Sequence, residues 1–190
     1  MRHPRTSVLL ALALVAATRL AVAETKSVEI FEGREISVEV PSGWQSMHSR
    51  DDSSGVQTLS FEDPRGEIKL DISFFPDTKE RLATREGVEA EMRSAFRTYR
   101  AAAVEREMKF TFVDEIDGFC GYTSFTDRSL VGKTPPTGER LISTTGIRSW
   151  KGAYLMFTLL TNSVDSKPYR EALAIVTKNL RESRGRTSSF

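Results

Sequence analysis

Apolar and polar side chains alternate strictly from Ile68 to Phe74, with Ile68, Leu70, Ile72 and Phe74 on one side and Lys69, Asp71 and Ser73 on the other. A period of two belongs to a strand with one buried face. Val28–Phe31 and Ile36–Val40 predict a short hairpin across Gly33, and Pro41-Ser42-Gly43-Trp44 then turns the chain. Leu59 and Phe61 alternate with Ser60 and Glu62 ahead of a turn at Asp63-Pro64-Arg65-Gly66. The period then changes. Val88, Met92, Ala95, Phe96, Tyr99 and Ala103 recur at helical spacing with Glu and Arg opposite. Asp77 with Glu80, or Thr84, supplies the cap, and Gly87 weakens whichever turn holds it. Four further strands are predicted at Lys109–Val113, Phe119–Thr126, Arg140–Arg148 and Ala153–Thr161, the last apolar on both faces as a covered central strand is. Ser166 and Pro168 open a final helix with Tyr169, Ala172, Leu173, Val176 and Leu180 along one stripe. The order strands, helix, strands, helix predicts an α+β layered domain with a mainly antiparallel sheet.

The first residues follow a different pattern. Arg2, His3 and Arg5 precede an apolar run from Val8 to Ala17, and Ala21-Val22-Ala23 closes the segment. A charged start, an h-region near ten residues and an Ala-x-Ala site predict a cleavable signal peptide over residues 1–23 and hence an exported protein, periplasmic or extracellular. The run is too short to span a bilayer, which takes about 20 apolar residues. Residues 24–181 are expected to form one globular domain and residues 182–190 a flexible basic tail. Without Arg2, Arg5 and Arg19 the chain carries 24 Lys+Arg against 26 Asp+Glu, a net charge of −2. That charge gives no reason to expect nucleic acid or an anionic membrane surface, and no stable membrane insertion is expected after signal cleavage. Cys120 is the one cysteine in 190 residues, so no intrachain disulfide forms and the core alone must hold the fold.

Candidate chemistry is sparse. Gly132-Lys133-Thr134 ends like a phosphate-binding loop, but Asp127 stands where the motif requires glycine, and Pro135 and Pro136 follow where it requires a helix. His48 is the single histidine beyond residue 23, so zinc would have to rely on carboxylates. Asp51–Gly55 is oxygen-rich and Glu62 falls at its twelfth position, yet Val56 occupies the sixth, where a calcium loop needs glycine. A solvated turn is the expectation there. Cys120 with His48 as base has no local signature, and no Gly-x-Ser-x-Gly elbow occurs. No catalytic residue, cofactor or metal site is therefore assigned. Trp44 is expected to close one end of the core. The long connection from Arg128 to Glu139, with Lys133, Pro135 and Pro136, is the candidate interaction loop.

The order of elements, with Ile36-Ser37-Val38-Glu39-Val40-Pro41-Ser42-Gly43-Trp44 ending in Pro-x-Gly-Trp, resembles the PsbP and Ran-binding Mog group over residues 28–181. The resemblance implies an α/β/α sandwich and a non-enzymatic binding or assembly module, with no common catalytic set to transfer. The favoured expectation is an exported accessory module that binds another envelope protein through a sheet edge or the Arg128–Glu139 loop. The alternative is a small-ligand binder or cofactor-free enzyme whose site is scattered in sequence, which a deep, mostly apolar cavity with converging polar groups would favour.

Overall fold

A computed structural model of the chain describes residues 23–31, 33–113, 117–150 and 152–183. The segment expected to be a signal peptide lies outside the described residues except for Ala23.

The predicted N-terminal hairpin is β1 (Glu24–Phe31) and β2 (Arg34–Val40), antiparallel across Gly33, whose φ of +74° suits a residue without a Cβ. β3 (Gln45–Arg50), β4 (Gln57–Glu62) and β5 (Ile68–Pro76) follow as an antiparallel meander. Asp63 closes the β4–β5 turn, its carboxylate accepting from the backbone N–H of Ile68 at 2.6 Å and of Arg65 at 3.1 Å. Two helical pieces, α1 (Arg85–Ala95) and α2 (Tyr99–Ala102), lead to β6 (Thr111–Val113), β7 (Phe119–Thr126), β8 (Ile142–Trp150) and β9 (Ala153–Thr161). The chain then forms α3 (Lys167–Thr177) and β10 (Leu180–Ser183). Seven strands build one antiparallel sheet in the order β3-β4-β5-β9-β8-β7-β6, and β1-β2-β10 form a second, smaller one.

Register decides what each face carries. Phe61, Leu70, Leu159 and Phe157 point with Leu59, Ile72 and Leu155 into one core, covered by α3 and the small sheet through Ile36, Val38, Ala172, Val176 and Leu180. The opposite face carries Ile147, Phe125 and Tyr154, covered by Leu82, Val88, Met92 and Phe96 of the helical segment. The result is the expected layered α+β sandwich, with β9 at the centre of the large sheet as its two-sided apolar run requires. Gly146 in β8 is a packing necessity: a Cβ there would lie 2.5 Å from the Phe157 ring.

Three elements depart from the sequence expectation. The helix predicted to continue through Ala103 breaks at Phe96, because Tyr99 stacks on Phe125 at 5.6 Å and Val104 N–H donates to Thr126 C=O, drawing the chain to the edge of β7. Leu180 is not on α3: the helix ends at Thr177 and Leu180 enters β10 opposite Val38, where it is still buried. An open edge of β2 outweighs one more helical turn. The strand also takes in Glu182 and Ser183, with Arg34 Nε on Glu182 at 2.6 Å, so the expected start of the tail falls inside an element. Residues 184–190 are outside the described residues. β3 was not foreseen at all. Its six residues are exposed on both faces and show no alternation for a pattern to detect.

Thr84 is the α1 cap, its Oγ1 accepting from Gly87 N–H at 3.1 Å. Asp77 holds the preceding turn instead, accepting from Arg81 and Leu82 N–H at 3.0 and 2.9 Å.

Candidate functional site

The elements that present polar groups outward are the strand edges and the β7–β8 connection. β3 bonds to β4 on one side only. Asp51 N–H donates to Val56 C=O in the same register, and Asp63 N–H donates to Ile68 C=O across β4–β5. Ladder alternation then turns the N–H and C=O of Ser46, His48 and Arg50 away from the sheet. The register is unbroken from Gln45 to Arg50, so no bulge twists this edge aside, and Met47 stands 63% exposed beside it. Underneath, His48 Nε2 meets Gln57 Oε1 at 2.8 Å while buried Gln57 donates through Nε2 to Ile30 C=O of β1. Since the amide nitrogen serves Ile30, its oxygen is the acceptor and His48 Nε2 carries the proton. Lys26 Nζ reaches Ser46 Oγ at 2.6 Å from the same strand. Lys26, and Gln57 through the Ile30 carbonyl, thus tie β3 to the small sheet.

The predicted loop is more tightly held than its glycines and prolines suggest. Asp127 caps a 3-10 turn at Arg128–Leu130 by accepting from Ser129 N–H and Oγ, bonds that lower its acid pKa. Arg128 donates to Ala103 C=O at 2.6 Å and Lys133 to Ser129 C=O at 2.8 Å, so two of the candidate cations are used internally. Pro136 C=O accepts from Glu139 N–H, and the side chains of Pro136 and Glu139 are exposed while Pro135 is half-buried. No helix follows Gly132. The structure therefore places these five residues along one anchored hairpin connection but converges no chemistry upon them.

A cleft of about 460 Å³ lies between this connection and α2. Ser143, Thr158, Leu160 and, on β7, Phe125 come from the sheet, and Tyr99 and Leu130 line it from the flanking elements. Arg140 also borders it, with Nη1 donating to Glu139 C=O and Nη2 to Gly66 C=O. Ser143 Oγ and Arg140 Nε are enclosed and have no hydrogen-bond partner among the described residues. Sequence reasoning missed this site because its residues come from five separate segments. A second cleft, about 490 Å³, lies along the β7 edge beside Glu105, Lys109, Tyr122 and Ser124. Burial raises the Glu105 pKa, but hydrogen bonds from Thr126 N–H and Oγ1 outweigh it and leave the carboxyl below its usual range.

His48 and Cys120 do not meet. β3 and β7 stand five strand spacings apart, about 24 Å. Burial pushes the Cys120 thiol up to about 11, against the pull of nearby Arg148, which suits an inert core side chain. Asp51 Oδ1 accepts from Ser53 Oγ, Ser53 N–H and Ser54 N–H, the self-contained turn expected of that segment. Among the described residues no three His, Cys, Asp or Glu side chains gather to hold a metal ion. None of the helices there is long and apolar enough to cross a membrane. Trp44 is buried in the main core.

This layered architecture is that of PsbP-like structures. The chain is similar to the solution structure of cyanobacterial PsbP (CyanoP) from Synechocystis sp. PCC 6803, with a TM-score of 0.54 and 15% identity over 90% of this chain and 99% of that one. A crystal structure from Bacteroides thetaiotaomicron VPI-5482 is also similar, with a TM-score of 0.48 and 16% identity over 82% of this chain and 47% of that chain. At 15% identity the likeness to CyanoP shows a PsbP-like fold. No protein-family model matches the chain, and no curated protein does.

Proposed function

We propose that this chain is an exported, non-enzymatic accessory module that binds another protein of the cell envelope by taking an extended segment of it along β3. The observation that carries this reading is the bulge-free β3 edge, whose outward N–H and C=O groups stand on a strand exposed at every residue. An incoming strand would satisfy those groups in the way sheet-edge recognition works elsewhere. The PsbP-like fold supports it through the sequence resemblance, which implies binding or assembly modules. Export rests on the pattern of residues 1–23, and Glu24 is the first residue of β1, so cleavage after Ala23 leaves that strand whole.

The test is a cross-linked pull-down from the native envelope with residues 24–190 tagged behind their own signal peptide. Ser46→Pro removes one outward N–H that β4 does not use, so the domain keeps its fold while the edge is blocked. One saturable partner, lost with Ser46→Pro and retained when residues 128–139 are replaced by a short turn, supports the β3 edge. Loss with the loop replacement alone moves the surface to that loop. Absence of any saturable partner overturns the reading, and a purified N-terminus other than Glu24 overturns the cleavage site.

A further inference from the structure

The helical layer stops short of the sheet it covers. α1 and the turn at Phe96 lie over Ile147 and Met156, but beyond Tyr99 the outward faces of Ser143, Thr158 and Leu160 floor the 460 Å³ cleft. That volume lies within the range of small-molecule pockets, about 300–1,000 Å³. The lining is mainly apolar, with Phe125, Leu130 and Leu160 facing the space. Ser143 and Arg140 both line it, and Ser143 Oγ and Arg140 Nε have no hydrogen-bond partner among the described residues. Enclosed polar atoms in folded proteins are nearly always bonded, so two such donors beside one apolar cleft call for an acceptor. Neither would have to give up an existing bond to receive one, but both are closed off from solvent, so an acceptor in the cleft reaches Ser143 Oγ only after a side-chain shift at its wall. Asp127 and Glu139 also border the cleft and oppose an anionic ligand.

We propose that this cleft binds a small uncharged molecule with an apolar body and a carbonyl-type acceptor oxygen. The body lies against Phe125, Leu130 and Leu160, and the oxygen accepts from Ser143 Oγ with Arg140 beside it. Ala103 C=O holds Arg128, and Arg128 anchors the connection that forms one wall, so an occupied cleft would also brace the β7–β8 loop.

The test uses the uncharged fluorescent ketone 6-propionyl-2-dimethylaminonaphthalene with purified protein from residue 24 onward, its emission shifting to shorter wavelength in an apolar site. Saturable one-site binding is expected, along with at least about fivefold weaker binding of the anionic probe 1-anilinonaphthalene-8-sulfonate. Ala102→Trp, on the exposed side of α2, crowds the cleft and should remove the shift. Met47→Lys, on the distant β3 edge, should leave it unchanged. Ser143→Ala takes away one neutral hydrogen bond and should weaken binding about fivefold. It should also raise the melting temperature of the free protein, because the hydroxyl lost has no partner there. Unsaturable binding, a shift that survives Ala102→Trp, or a shift lost with Met47→Lys overturns the site. Equal affinity in Ser143→Ala or tighter binding of the anionic probe overturns the ligand class. Thermal unfolding of each variant shows that the comparisons are made on folded protein.

Discussion

Arg148 shows how one side chain can be structural although its charge suggests chemistry. It is 8% exposed and points from β8 into the core, where Nη1 donates to Val176 C=O at 2.7 Å. The last carbonyls of a helix lack partners within it. Here Ala174 C=O is served by Lys178 and Asn179 N–H, Leu173 by Thr177 Oγ1, and Val176 by the Arg148 guanidinium. A cation at that end also suits the helix dipole. Desolvation lowers the Arg148 pKa, with Cys120 and Asp117 opposing it, but arginine stays charged through the working range. Arg148→Ala should destabilise the domain by about 3 kcal/mol, through an orphaned carbonyl and a lost side-chain volume. Arg148→Met keeps most of the volume and should cost roughly half as much. Urea unfolding of the two variants against the parent measures both, and equal stability of all three would remove Arg148 from the account of α3.

At the scale of elements, two short segments make opposite use of local rules. Gly87 lies in the first turn of α1, where helix propensity favours alanine by about 1 kcal/mol. A Cβ on Gly87, however, would sit 2.2 Å from the carbonyl oxygen of Arg81. Gly87→Ala should therefore destabilise by about 1–3 kcal/mol, the cost of overpacking, and a stabilised variant in thermal unfolding would contradict the close approach. The turn after β3 obeys its local chemistry. Asp51 is held at a pKa of about 2 by hydrogen bonds from the Ser53 hydroxyl, then from Ser53 and Ser54 N–H. Its folded pKa is below the unfolded value, so the ionised carboxylate favours the fold above about pH 4 and that contribution fades as pH falls toward 2. The melting temperature of Asp51→Asn should lie below that of the parent at pH 7, and the gap should close between pH 4 and pH 2. A gap that is constant with pH would exclude the charge as its source.

For the molecule as a whole, closure of the small sheet is the decisive event. β10 brings the C-terminal end of the domain back onto β2, with Leu180 opposite Val38 and Glu182 bonded to Arg34. A chain ending at Asn179 loses a buried leucine and an edge strand over the core, and should be less stable by roughly 3–5 kcal/mol. Its urea midpoint would fall accordingly, whereas an unchanged midpoint would mean that β10 contributes nothing to the fold. Much of this architecture was legible beforehand. Strict alternation marked β5, a doubly apolar run marked the central β9, and turn residues marked the β1–β2 and β4–β5 links. β3 was not legible, because a strand exposed on both faces has no reason to alternate. Leu180 fits a helical stripe and a strand equally well, and only the vacant edge of β2 separates the two.

From the sequence alone came most of the element types, β3 and β10 excepted, the layered α+β class, a core independent of disulfides, and the absence of a recognisable catalytic motif. Those properties follow from local periodicity and composition, which residues carry wherever the chain leads them. Tertiary structure decided which edges stay open, where the helical layer ends, and which donors remain unpaired beside a cleft. These depend on segments far apart in sequence meeting: Ser143 and Arg140 with Tyr99 and Phe125, or His48 with Gln57 and Ile30. No local pattern encodes such meetings, because they arise from strand order and register across the whole sheet.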